Sequence, residues 1–101
     1  MKPFIIDHAA EQELWRTAAW YESRQVGLGG AFISGFEAAV ARIQQNPTGY
    51  APEDESGARM AMLSRFPFAV VYLDEPTQVW VVAVADLRRR PRYWAQRLPK
   101  A

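Results

Sequence analysis

Five arginines, Arg88, Arg89, Arg90, Arg92 and Arg97, surround an aromatic pair, Tyr93-Trp94, near the end of a 101-residue chain. A guanidinium is permanently charged, offers several N–H donors in a planar fork and stacks on aromatic rings, so this stretch suits the holding of an anionic partner. It is less suited to moving protons. Arginine titrates too high to act readily as an acid, the lysines are Lys2 and Lys100 at the two ends, and the one histidine is His8. With a single histidine and no cysteine, zinc sites, disulfides and histidine-based triads are excluded, and no metal or cofactor is expected. Charge is distributed unevenly: residues 1–85 hold six Lys/Arg against ten Asp/Glu, and residues 86–101 hold six against one. That is a local footprint for an anionic partner rather than a generally basic protein, unless the arginines are solvated or pair with the chain's own carboxylates.

The elements that must position this tip follow from periodicity. The length suits one domain spanning residues 1–101 with a modest core. A short strand over residues 3–6 leads to Asp7, placed to cap a helix over about residues 8–25, with Ala10, Leu14, Ala18 and Tyr21 on its buried stripe. Glu11 and Glu13 fall near the positive end of its dipole. Gly27-Leu28-Gly29-Gly30 reads as a hinge with Gly27 a left-handed cap. No GK[ST] follows the cluster, which argues against a phosphate cradle. A second helix carries Leu28, Phe32, Phe36, Ala39, Val40 and Ile43 on one face and stops at Asn46-Pro47, giving an antiparallel hairpin. Residues 48–57 form a polar, acidic connection, read as a solvated loop. Three strand-length runs follow, residues 58–64, 67–74 and 78–86. The middle run is apolar on both faces, so the helices cover one face and a groove, the tail or a partner covers the other. The fold class is α+β, an N-terminal strand and a helical hairpin on a small antiparallel sheet. No run approaches a membrane span and the N-terminus lacks a signal-peptide core, which makes a soluble cytoplasmic protein the expectation.

Trp20-Tyr21-Glu22, Gly27-Leu28-Gly29, Phe32, Ile43, Asn46-Pro47, Arg59, Arg65-Phe66-Pro67-Phe68, Val71-Tyr72 and Arg89-Arg90-Pro91-Arg92-Tyr93-Trp94 with Arg97 together resemble the RelE/ParE superfamily of bacterial toxins, in its ParE-like, plasmid-stabilisation branch. The resemblance covers nearly the whole chain. It implies the toxin of a type II toxin–antitoxin pair, assembled with a small antitoxin that wraps and neutralises it. ParE-type members trap DNA gyrase, whereas RelE-type members cut messenger RNA in the ribosome, and fold alone does not separate the two.

An RNA-cleaving member needs groups that take the 2′-hydroxyl proton, stabilise the phosphorane and protonate the leaving oxygen. Arg59, Arg65, Arg88, Arg90 and Tyr93 imitate such a set on paper. The clustered lysine is missing, and Asp86 stands where many relatives carry histidine, adding negative charge near any phosphate. The nuclease reading therefore comes second. A gyrase-trapping toxin needs only a surface, for which Arg88, Arg89, Arg90, Arg92, Tyr93 and Trp94 are the candidates. Against this, Tyr93 and Trp94 are also suited to covering the sheet, and one arginine to pairing with Asp86 or Glu22 to hold the last strand to the first helix. For the antitoxin, Trp15, Trp20, Phe66, Phe68 and Trp80 are the candidate anchors, with completion of the chain's own core as the alternative. A third reading is an inactive homologue kept as an antitoxin-binding module.

Overall fold

Asp7 starts the first helix as its residue type predicts. Its carboxylate accepts the Ala9 N–H (3.1 Å), and helix α1 (His8–Arg24) follows, burying Ala10, Leu14 and Ala18. The computed structural model describes residues 1–99. Gly27 takes φ +90°, the left-handed turn that only glycine adopts freely, and opens helix α2 (Leu28–Gln45). Gly27 has no side chain to cap α2, so Glu22 reaches across from α1. Its carboxylate accepts the N–H groups of Gly27 (3.0 Å) and Gly29 (2.9 Å), satisfying donors at the positive end of the second helix. Glu22 is therefore a cap within the hairpin, and no arginine among the described residues pairs with it, contrary to one of the two pairings expected.

Gly29 is needed for a different reason. A Cβ there would lie 2.5 Å from the Ala18 carbonyl oxygen, so the missing side chain lets the two helices approach closely. Gly29→Ala is expected to lower stability by about 1–3 kcal/mol in chemical denaturation, because backbone must move to admit the methyl group. Gly30→Ala, with open space around the new Cβ, is the matched control and should not destabilise.

The sheet runs in the order β1-β4-β3-β2, with β1 (Phe4–Ile6), β2 (Arg59–Met62), β3 (Phe68–Asp74) and β4 (Val79–Asp86). The meander β2-β3-β4 is antiparallel as expected, and β1 adds parallel to β4, which makes the sheet mixed. Pairing of β1 with β4 stops at Val81, where Asp7 N–H donates to the Val81 carbonyl (2.8 Å), leaving the rest of that edge of β4 open.

A bulge in β4 coincides with that point. Val71 pairs with Ala83 and Tyr72 with Val81, so Val82 is an extra residue with no partner in β3. Val79, Val81 and Val84 accordingly join the core beneath the helices, around Phe32, Phe36, Ile43, Phe68 and Tyr72. Val82, Ala83 and Ala85 face the other way, into a second core completed by Val71, Tyr93, Trp94 and Leu98. Of the three candidates for covering the second face, the tail does so: residues 87–98 fold back as a strap ending in a short 3-10 turn, Ala95–Arg97.

The connection over residues 48–57 is exposed for most of its length but anchored. Glu53 N–H donates to the Ala58 carbonyl (2.7 Å), and the Arg59 guanidinium donates to the Tyr50 carbonyl. The Tyr72 hydroxyl donates to the Pro47 carbonyl (2.6 Å), tying the central strand to the end of α2. Burial pushes its pKa up to about 12.

Candidate functional site

The basic turn begins where β4 ends. Asp86 accepts both the backbone N–H of Arg88 (2.9 Å) and its guanidinium, through Nε (2.9 Å) and Nη2 (3.1 Å). Those bonds hold the Asp86 carboxyl below the usual carboxylate range. Asp86 is thus a staple that shapes the turn and engages Arg88, and its charge is not directed at an approaching anion. Arg89 lies over the Tyr93 ring at 3.7 Å, and Arg92 pairs with Asp54 at 2.7 Å while approaching the Trp94 ring at 5.6 Å. Arg92 has φ +59°, which for a side-chain-bearing residue costs roughly 1–2 kcal/mol and marks a tight reversal in the strap. Arg90 is exposed and, among the described residues, has neither a hydrogen bond nor an ion pair.

What holds the far end of the turn is Glu13, from the inner face of α1. Its carboxylate accepts the Val84 N–H (3.1 Å), the Tyr93 hydroxyl (2.7 Å), and Arg97 Nη1 (2.9 Å) and Nη2 (3.0 Å). Arg97 also donates to the Val82 carbonyl (3.1 Å). Glu13 and Arg97 together satisfy the edge of β4 that β1 leaves open, doing with side chains what a neighbouring strand does with backbone. Burial, reinforced by the bond to Glu13, raises the pKa of Tyr93 well above the ordinary phenol value. The arginine that secures the last strand to the first helix is therefore Arg97, and its partner is neither Asp86 nor Glu22. Glu13 escaped the sequence reading because a carboxylate in the first turns of a helix is already accounted for by the dipole. Its spacing of three from Ala10 was the available signal that it borders the buried stripe.

The turn separates two concave surfaces. On the strap side a cavity of about 220 Å³ lies between Glu53, Met60, Arg89, Arg90, Arg92 and Trp94. On the helix side a groove of about 290 Å³ is lined by Arg16, Thr17, Trp20, Phe68, Asp86 and Arg88. The nuclease-like set is not assembled in either. Arg90 and Tyr93 border the strap-side cavity and Arg88 the groove. Arg59 is tied to the Tyr50 carbonyl, and Arg65 is exposed beside the Phe66 ring. Lys2 is bound to Asp74 and the Glu75 carbonyl, and Lys100 lies outside the described residues. Among the described residues no cluster of His, Cys, Asp and Glu has the makings of a metal site.

Two of the expected surface residues belong to the interior. Tyr93 is 8% exposed and Trp94 2%, because they close the second face of the sheet; the exposed part of the tip is its arginines. The antitoxin candidates divide similarly. Phe66 and Phe68 pack in the main core against Tyr21 and Phe32, and Trp80 is half-buried against the second core. Trp15 and Trp20 are 58% and 48% exposed, and Arg24 stacks over Trp20 at 4.5 Å.

A helical hairpin lies on one face of a four-stranded mixed sheet and a C-terminal strap on the other, an α+β architecture. The chain is similar in structure to one in the chromosomal ParDE TA system from P. aeruginosa, with a TM-score of 0.64, 14% identity, and coverage of 86% of this chain and 97% of that one. The fold is accordingly that of a ParE-like toxin. No protein-family model matches the sequence, and no curated protein matches it. No helix among the described residues is long and apolar enough to cross a membrane.

Proposed function

We propose that this chain is the toxin of a type II toxin–antitoxin pair, acting in the cytoplasm by binding and holding DNA gyrase and neutralised by a cognate antitoxin. The ParE-like fold supports the toxin class. The observation that favours binding over RNA cleavage is the state of Tyr93: its hydroxyl is buried and donated to Glu13, and its neighbours at the turn are arginines. A phenol held in that way is a poor proton donor for a leaving oxygen, and arginine does not replace it. The target surface in this reading is Arg88, Arg89, Arg90 and Arg92, with Tyr93 and Trp94 supporting it from below. Trp15 and Trp20 are the anchors offered to the antitoxin, since large exposed aromatic rings are frequent interface hot spots.

The test is gyrase supercoiling of relaxed plasmid with the purified protein titrated in. Loss of supercoiling with accumulation of cleaved DNA is expected, and a folded protein without effect at high stoichiometric excess refutes the gyrase reading. Messenger RNA cleavage in ribosomes, and then a role as an inactive antitoxin-binding module, are the readings such a failure would favour. Expression of the chain alone is expected to slow growth, and co-expression of the neighbouring antitoxin gene to restore it. Vigorous growth at high yield of folded protein would count against a toxin.

A further inference from the structure

The acidic connection between α2 and β2 folds onto the basic turn. Asp54 supplies the carboxylate that pairs with Arg92 at 2.7 Å, and Glu53 forms part of the wall of the cavity that Arg89, Arg90 and Arg92 rim. The backbone carrying both is held locally: Asp54 Oδ1 accepts the Ser56 N–H (2.8 Å) and hydroxyl (2.5 Å), and Pro52 bridges to Arg59. The floor beneath is apolar, formed by Met60, Ala85 and Trp94. The carboxylate paired with Arg92 thus belongs to an acidic stretch of polypeptide, Pro52-Glu53-Asp54-Glu55-Ser56, beside an apolar floor.

We infer that this loop is an internal stand-in for a partner: residues 89–92 and the cavity beside them form a docking site for an acidic protein segment, which binds by exchanging with Asp54 and Glu53. The inference rests on the reading of the turn as the contact surface and adds how access to it is governed. A largely solvated carboxylate–guanidinium pair is weak and readily exchanged, so the loop occupies Arg92 while yielding to a partner that brings several carboxylates to Arg89, Arg90 and Arg92 together. The apolar floor favours a polypeptide, whose side chains can rest on it, over a phosphate backbone.

The experiment is fluorescence anisotropy with fluorescein-labelled decaglutamate and, separately, fluorescein-labelled decathymidylate, at low salt. The double variant Glu53→Gln/Asp54→Asn should bind decaglutamate about threefold more tightly than the unaltered chain or better, as expected for removal of a weak exposed competitor. Glu53→Gln alone, which leaves the Asp54–Ser56 bonds in place, should give part of that gain. The control Glu11→Gln/Glu37→Gln makes the same change in net charge at exposed helix positions and should bind as the unaltered chain does. Equal gains in both double variants would reduce the effect to overall charge and overturn the inference, as would no gain in the loop variants. Tighter binding of decathymidylate than decaglutamate would overturn the choice of a protein segment. Gyrase is absent from every arm, so failure here and failure of supercoiling inhibition are separate results.

Discussion

Replacing Glu13 by alanine is expected to lower the midpoint of thermal unfolding by roughly 10–20 °C, the equivalent of about 2–3 kcal/mol in a domain of this size. The side chains of Glu13 and Arg97 are only 12% and 19% exposed, so removing the carboxylate strands a largely buried guanidinium. It also leaves the Val84 N–H and the Tyr93 hydroxyl without their acceptor. Each is a desolvated donor whose loss of partner is more costly than the bond itself is stabilising. Glu13→Gln keeps an acceptor oxygen but not the charge, and should fall between the unaltered chain and Glu13→Ala. Combining Glu13→Gln with Arg97→Met should restore part of the loss, since the two changes remove a coupled pair. Additive losses in that cycle, or a midpoint in Glu13→Ala within a few degrees of the unaltered chain, would show that the strap is held by its apolar contacts alone.

Under the proposed gyrase reading, replacing Arg89 and Arg90 together by alanine is expected to weaken inhibition roughly a thousandfold, on the order of 2 kcal/mol for each arginine acting as an interface hot spot. The fold should tolerate the change. Arg90 has no partner among the described residues, and Arg89 contributes a ring contact with Tyr93 worth about 0.5–1 kcal/mol at an exposed site and an ion pair with Glu13 at the long distance of 4.0 Å. Measured supercoiling inhibition should therefore collapse while the thermal midpoint moves by only a few degrees. Arg65→Ala, an exposed arginine away from both concave surfaces, should leave inhibition intact. Full inhibition by the Arg89/Arg90 variant would remove the turn from the target surface.

Much of the architecture was legible because the helices are periodic and well punctuated. Asp7, Gly27 and Asn46-Pro47 mark boundaries that the structure keeps to within a residue or so. The two-sided apolar character of β3 announced that its second face needed a cover, without saying which segment supplies it. The strap itself carries no period, so Tyr93 and Trp94 read both as part of an exposed tip and as a cover for the sheet, and the second is what their interior rings do. Glu13 was concealed for a topological reason. Its partners lie 71 to 84 residues further along the chain, and only the open edge of β4 brings them to one carboxylate. Nor does the run Val81-Val82-Ala83-Val84-Ala85 reveal a bulge, since every residue in it suits either face.

That extra residue acts as a frameshift written into a strand. Upstream of Val82 the outward-pointing backbone groups of β4 are in step with β1, and downstream they are in step with Glu13 and Arg97. A regular strand of this same sequence cannot keep both alignments, because without the bulge every residue after Val81 changes face. Forcing Val82 into regular pairing with β3, with no residue removed, would turn Val84 and Asp86 toward the strap and Ala83 and Ala85 toward the helices, leaving small residues where the main core requires a large one. It would also withdraw the Asp86 carboxylate from its present side of the sheet, and with it the anchor from which the arginine turn is launched. The direction in which the arginines are presented is thus encoded by the parity of β4, set at Val82 among uncharged residues upstream of Asp86.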